Sequence, residues 1–123
     1  MRIASVLAVS ALLPACGNFN ESFCTLEARA SVQVRVVDAR GTLQRDARVT
    51  FTLDGGPEQQ ALCNGSEQAQ GNCDSWVTSY EQPGDYVITA TSADGQRTAR
   101  QSVSVLEDEC HVQSQSVTLT LPD

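Results

Sequence analysis

The chain has 123 residues, room for a single domain, and carries fifteen acidic side chains against eight basic ones. All eight bases are arginine, and lysine is absent. A body this acidic is repelled by phosphate backbones and by anionic headgroups, which argues against nucleic-acid binding and against a peripheral electrostatic contact with membranes.

Residues 1–15, MRIASVLAVSALLPA, carry one charge at Arg2 and then an unbroken apolar or small-residue run from Ile3. The run is far shorter than the roughly 20 residues that span a bilayer and has the make-up of a signal-peptide core. Cleavage after Ala15 puts Leu13 at −3, where a general signal peptidase takes a small residue. Leu13-Pro14-Ala15-Cys16 instead resembles the lipobox of bacterial lipoproteins, with Pro14 where Ala or Ser is usual. That resemblance implies diacylglycerol thioether-linked to Cys16, cleavage just before it, and acylation of the new amino group. Cysteine parity agrees. Five cysteines in an exported chain leave one over, and lipid on Cys16 leaves Cys24, Cys63, Cys73 and Cys110 to form two disulfides in an oxidising compartment. Loss of Arg2 with the signal gives a mature net charge of 7 − 15 = −8. The acyl chains must therefore do the anchoring, and two or more, at about 0.8 kcal/mol per buried CH₂, suffice. The expected location is the cell envelope, lipid-anchored to a membrane. Gly17 in place of an inner-membrane retention Asp points to the outer membrane if the source is Gram-negative.

Residues 16–29 read as a lipidated tether, polar with scattered aromatics (Phe19, Phe23) and pinned at Cys24. From residue 30 a period of two takes over and helical periodicity is absent. Val32, Val34 and Val36 share a face, as do Val49, Phe51 and Leu53, then Tyr86, Ile88 and Ala90. Val103 with Val105, and Val117, Leu119 and Leu121, mark two more strands, and shorter ones are expected around Ala61–Cys63 and Asp74–Tyr80. Turn residues fall between them: Asp38-Ala39-Arg40-Gly41, Asp54-Gly55-Gly56-Pro57, Pro83-Gly84 and Asp94-Gly95. Asp94-Gly95 between two alternating runs is the strongest hairpin signal. The expectation for 30–123 is an all-β domain, a single antiparallel sandwich of about seven strands.

Four cysteines allow three pairings. Cys63–Cys73 would close a local strand-loop-strand, and Cys24–Cys110 would tie the start of the first strand to that of the last. In the chain-entropy model these loops are worth about 2.8 and about 4.6 kcal/mol. Cys24–Cys63 with Cys73–Cys110 is the rival arrangement.

The Val-rich strand ending in Asp38, then Gly41, the Ala47-x-Val49 strand start and Gly84-Asp85-Tyr86-Val87-Ile88-Thr89-Ala90 resemble the carboxypeptidase regulatory-like domains, small transthyretin-like sandwiches. The Gly-x-Tyr step is also similar to the tyrosine corner of immunoglobulin-like domains. The Cys63/Cys73 pair, the Cys110-His111 step and Leu43 depart from the regulatory-like pattern. Such domains are generally non-catalytic attachments to other proteins.

His111, the only histidine, follows Glu107-Asp108-Glu109 and Cys110. A metal site could combine them, but consecutive strand residues point to opposite faces, so no metal and no cofactor is expected. Nucleophilic catalysis needs a nucleophile, a base and an orienting group. With one imidazole and no Gly-x-Ser-x-Gly elbow, no catalytic residue is expected. Trp76 is read as the core tryptophan packing on Cys63–Cys73, the alternative being a ligand surface shared with Tyr80. The function expected is a monomeric, non-catalytic structural or protein-interaction module with an unknown envelope protein as partner. A ligand-binding or inhibitory sandwich capturing a peptide or glycan is the alternative.

Overall fold

The computed structural model describes residues 24–65 and 71–123; the expected signal segment, Cys16, Phe19 and Phe23 lie outside the described residues. Eight strands form two four-stranded sheets, and no helix occurs among the described residues. In chain order they are β1 (Val32–Val37), β2 (Arg48–Leu53), β3 (Gln59–Gln60), β4 (Leu62–Cys63), β5 (Trp76–Val77), β6 (Gly84–Thr91), β7 (Thr98–Val105) and β8 (Gln115–Thr120). One sheet runs β4-β5-β1-β8 and the other β3-β2-β6-β7.

Alternation decides which side chains enter the space between the sheets. Val32, Val34 and Val36 are fully buried while Gln33 and Arg35 are exposed. Val49 and Phe51 from β2, Tyr86, Ile88 and Ala90 from β6, and Val117 and Leu119 from β8 meet them in one apolar cluster. Each fully buried aliphatic or aromatic side chain contributes about 1.5–3 kcal/mol, so this cluster is what holds the sheets face to face. The expected all-β sandwich is what forms, with an eighth strand because the segment around Ala61 divides into β3 and β4, one in each sheet. Not every pair is antiparallel: β1 and β8 run parallel in register from Val32↔Gln115 to Val37↔Thr120. Parallel neighbours need a long connection, and here it is most of the domain.

The turn signals at Asp38, Asp54 and Asp94 act as read, while Gly84 instead opens β6. Asp38 Oδ1 accepts from the backbone N–H of Arg40 and Thr42, both at 2.9 Å. At the tip of the β6–β7 hairpin Ser92 N–H bonds the Arg97 carbonyl, and Asp94 Oδ1 accepts from Gln96 N–H. Gly84 has φ +139°, and a Cβ there would come within 2.8 Å of the Asp54 carboxylate oxygens, so only glycine fits.

Both disulfides are Cys24–Cys110 and Cys63–Cys73, with Cα atoms 5.1 and 5.3 Å apart. Trp76 lies opposite Cys63 across β4 and β5 and is 2% exposed, within the cluster that includes Cys73. Trp76, Val77 and Thr78 are buried in succession, so both faces of this short strand are covered and the simple alternation fails there. Tyr80 accordingly does not share the buried site of Trp76; it is 48% exposed.

Tyr86 is fully buried, its ring 5.7 Å from that of Phe51. Its hydroxyl donates to the Gln82 carbonyl at 2.7 Å, four residues upstream, and lies 2.8 Å from Ser79 Oγ. This is the hydrogen bond of a tyrosine corner. Tyr86→Phe removes it while keeping the ring, and is expected to cost about 1–3 kcal/mol. Denaturant unfolding checks this, and a variant as stable as the parent would contradict the role given to the hydroxyl.

Candidate functional site

Strands β1, β6 and β8 begin at the same pole of the sandwich, and β2, β5 and β7 end there. The segment following Cys24 reaches this pole. Three stretches remote in sequence meet at it: 24–31, 78–83 and 106–115.

Glu81 joins them. Its backbone is in the left-handed region, φ +56°, and its N–H bonds the Arg29 carbonyl at 2.9 Å. Its carboxylate accepts from Arg29 N–H at 2.9 Å, from Val112 N–H at 3.0 Å and from His111 Nδ1 at 2.5 Å. An ionised carboxylate only accepts, so Nδ1 is the protonated nitrogen. His111 Nε2 lies 2.9 Å from Thr25 Oγ1. The imidazole is 9% exposed with both nitrogens engaged. Asp108 Oδ1 accepts from the backbone N–H of Cys110 and of His111, each at 2.9 Å. Cys24–Cys110 closes the same corner covalently.

Of the residues singled out in sequence, the structure brings together Cys24, Cys110, His111 and Asp108. Glu107 is instead bridged to Val112 in the backbone, and Glu107 and Glu109 are both exposed. Among the described residues no three His, Cys, Asp or Glu side chains are arranged to hold a metal ion. The carboxylate that pairs with the histidine is Glu81, thirty residues away, and sequence alone does not single it out among fifteen acids. Two open hollows flank the corner, of about 370 and 380 Å³, the first lined by Cys24, Thr25, Arg29 and 108–111. A third, about 280 Å³, opens beside Trp76 between 46–49 and Gln60, but Trp76 itself offers it almost no surface.

Charge is distributed unevenly. The half of the domain nearest this pole holds, among the described residues, Glu27, Asp54, Glu58, Glu81, Asp85, Glu107, Asp108 and Glu109 against Arg29 alone. Elsewhere among the described residues six arginines face five aspartates. All the excess negative charge of the described residues therefore sits at this pole.

Compared with protein-family profiles, with curated proteins and with solved structures, the chain matches none. No helix among the described residues is long and apolar enough to cross a membrane. The chemistry of the corner is that of a fastening: Glu81 and His111 hold neighbouring segments, and Asp108 holds the turn that carries His111.

The Arg29 N–H, then the His111 side chain, hold the Glu81 carboxyl below the usual range. Backbone N–H donors do the same for Asp108, through His111 and Cys110, and for Asp38, through Thr42 and Arg40; the Ser92 hydroxyl does so for Asp94. A depressed carboxyl stabilises the fold above its unfolded pKa, and that contribution is lost as pH falls through the folded value. Stability is therefore expected to hold down to about pH 5 and to decline below about pH 4, in the range where free carboxyls protonate. Glu81→Gln is expected to lower stability at pH 7 and to flatten part of that acid decline. Unfolding midpoints across pH 2–7 measure both, and a variant whose acid decline parallels the parent's would remove Glu81 from the account.

Proposed function

We propose that this protein is a lipid-anchored lipoprotein of the cell envelope whose sandwich is a non-catalytic structural or protein-interaction module. The observation that carries the reading is how soon and how firmly the chain is fastened after Cys16. Eight residues further on, Cys24 is bonded to Cys110, and the latch at Glu81 follows. Eight residues fully extended reach roughly 28 Å, so lipid on Cys16 would hold the domain close to the bilayer by its acidic pole.

Two leucines at that pole, Leu26 and Leu106, are exposed at 101% and 64%. Burying either in lipid is worth about 1.5–3 kcal/mol. Seven uncompensated negative charges facing an anionic surface oppose this, so the body stands off the bilayer and attachment rests on the acyl chains. What the anchor displays is then the sheet edges and the loops of the far pole, to an envelope protein partner. The resemblance to carboxypeptidase regulatory-like domains, generally non-catalytic, supports the same reading. The outer membrane is the proposed location if the source is Gram-negative. Capture of a peptide or glycan at Trp76 is disfavoured by that residue's burial.

Labelled palmitate is expected to enter the wild-type chain and not Cys16→Ser, which accumulates uncleaved or soluble. Equal labelling of the two would sink the anchor.

A further inference from the structure

The two sides of the sandwich end differently. On one side β3 and β4 are two residues each, a short-edge device against pairing with other chains. On the other side β7 runs eight residues in unbroken register with β6, Thr98 to Val105, without lysine, proline or bulge. Closure of the hairpin fixes which backbone groups are used. Ser92 N–H bonds the Arg97 carbonyl, so the odd-numbered residues from 97 to 105 bond β6. Thr98, Arg100, Ser102 and Ser104 then point N–H and C=O along the free edge, and all four are exposed.

We propose that this edge is the contact between two copies of the chain, paired antiparallel through β7 about Ser102. The charges along the strand select that partner. Arg100 lies toward one end of the strand. Asp85, bonded by Ser104 Oγ at 2.7 Å, lies beside the other end on β6. Ser102 is midway between Arg100 and Ser104. A two-fold axis there sets Arg100 of each copy opposite Ser104 of the other, one strand from Asp85. An axis through Arg100 would oppose two arginines, which destabilises a strand pair, and parallel pairing would align like ends. The setting is the interaction module proposed above, and the contact itself does not need the lipid. One strand pair is small beside the roughly 1,200–2,000 Å² of stable complexes, so the dimer is weak in solution and gains from confinement on a membrane.

The test uses the full chain carrying Cys16→Ser, whose other four cysteines are those of the two disulfides. Hydrogen-bonded antiparallel partners have Cα atoms about 5.5 Å apart, within disulfide range, so Ser102→Cys is expected to give a covalent dimer on oxidation. Thr118→Cys, exposed on the β8 edge, is expected to stay monomeric. By sedimentation, the chain without added cysteine is expected to dimerise with rising concentration and to dissociate with added sodium chloride. Ser102→Pro removes only an outward N–H, and Ser102→Lys opposes two charges. Each is expected to weaken the dimer at least about tenfold in Kd, against a tenfold step of 1.4 kcal/mol, with the monomer still folded. A monomer at every concentration up to millimolar, or equal cross-linking through positions 102 and 118, overturns the proposal. Palmitate labelling decides the anchor separately.

Discussion

The parallel pairing of β1 with β8 is the constraint on which the sandwich depends. It joins the first strand to the last in register, Val32↔Gln115 to Val37↔Thr120, and builds one side of a sheet from segments more than eighty residues apart. Such a contact forms only after a long loop has closed, and the entropy of closure opposes it. The other sheet has an easier route. Its β6–β7 pair is a hairpin turned on Asp94-Gly95, and β2 adds to it through Arg48–Leu53. Cys24–Cys110, with a separation of 86 residues, closes the costly loop covalently beside the β1–β8 start. Glu81 adds the third segment to the same closure, binding Arg29 just before β1 and His111 and Val112 just before β8. The fastening and the difficult strand pair are two ends of one solution.

Much of this was legible in the sequence because burial on one face writes itself as alternation. The valines of β1, Val49 and Phe51, Tyr86 and Ile88, and Val117 and Leu119 were all placed correctly by period two, and both cysteine pairs by loop position. Direction was not legible: period two is the same for a strand run either way, so nothing in SVTLTL says that β8 lies parallel to β1. Nor was the brevity of β5, where Trp76-Val77-Thr78 is buried throughout and carries no period. The latch was hidden for another reason. Carboxylate–imidazole contacts across 30 residues have no local spacing, and His111 stands next to three acids in sequence while bonding a fourth outside that run.

The same geometry sorts the charges. Joining the three stretches requires a carboxylate that can accept several N–H groups at once; Glu81 does so across them and Asp108 within its own turn, both with pKa values held down by those donors. Further acids at this pole, Glu107 and Glu109 among them, are exposed and turn it into the negative end of the domain. An arginine-balanced body with one acidic pole orients in an electric field in a way a uniformly acidic one does not. Were the chain anchored through Cys16 as proposed, an anionic surface would push the body outward from its acidic end.

That push bears on which surface is available to a neighbour. Under the proposed anchoring through Cys16 the acidic pole would face the membrane, and the β3–β4 side is shortened to two-residue edges next to Cys63–Cys73. What remains open is the side where β7 and β8 leave their backbone groups unpaired along eight and six residues. Edge strands of that length are normally covered or interrupted, because they pair with whatever strand approaches. Here β7 is left without a bulge, with Arg100 toward one end and Asp85 beside the other, so its charge gradient favours an approaching strand of opposite polarity and disfavours one of the same. The disulfide, the latch and the short edges protect three sides of the molecule, and the strand that lacks all three devices is the one whose own charges restrict its partners.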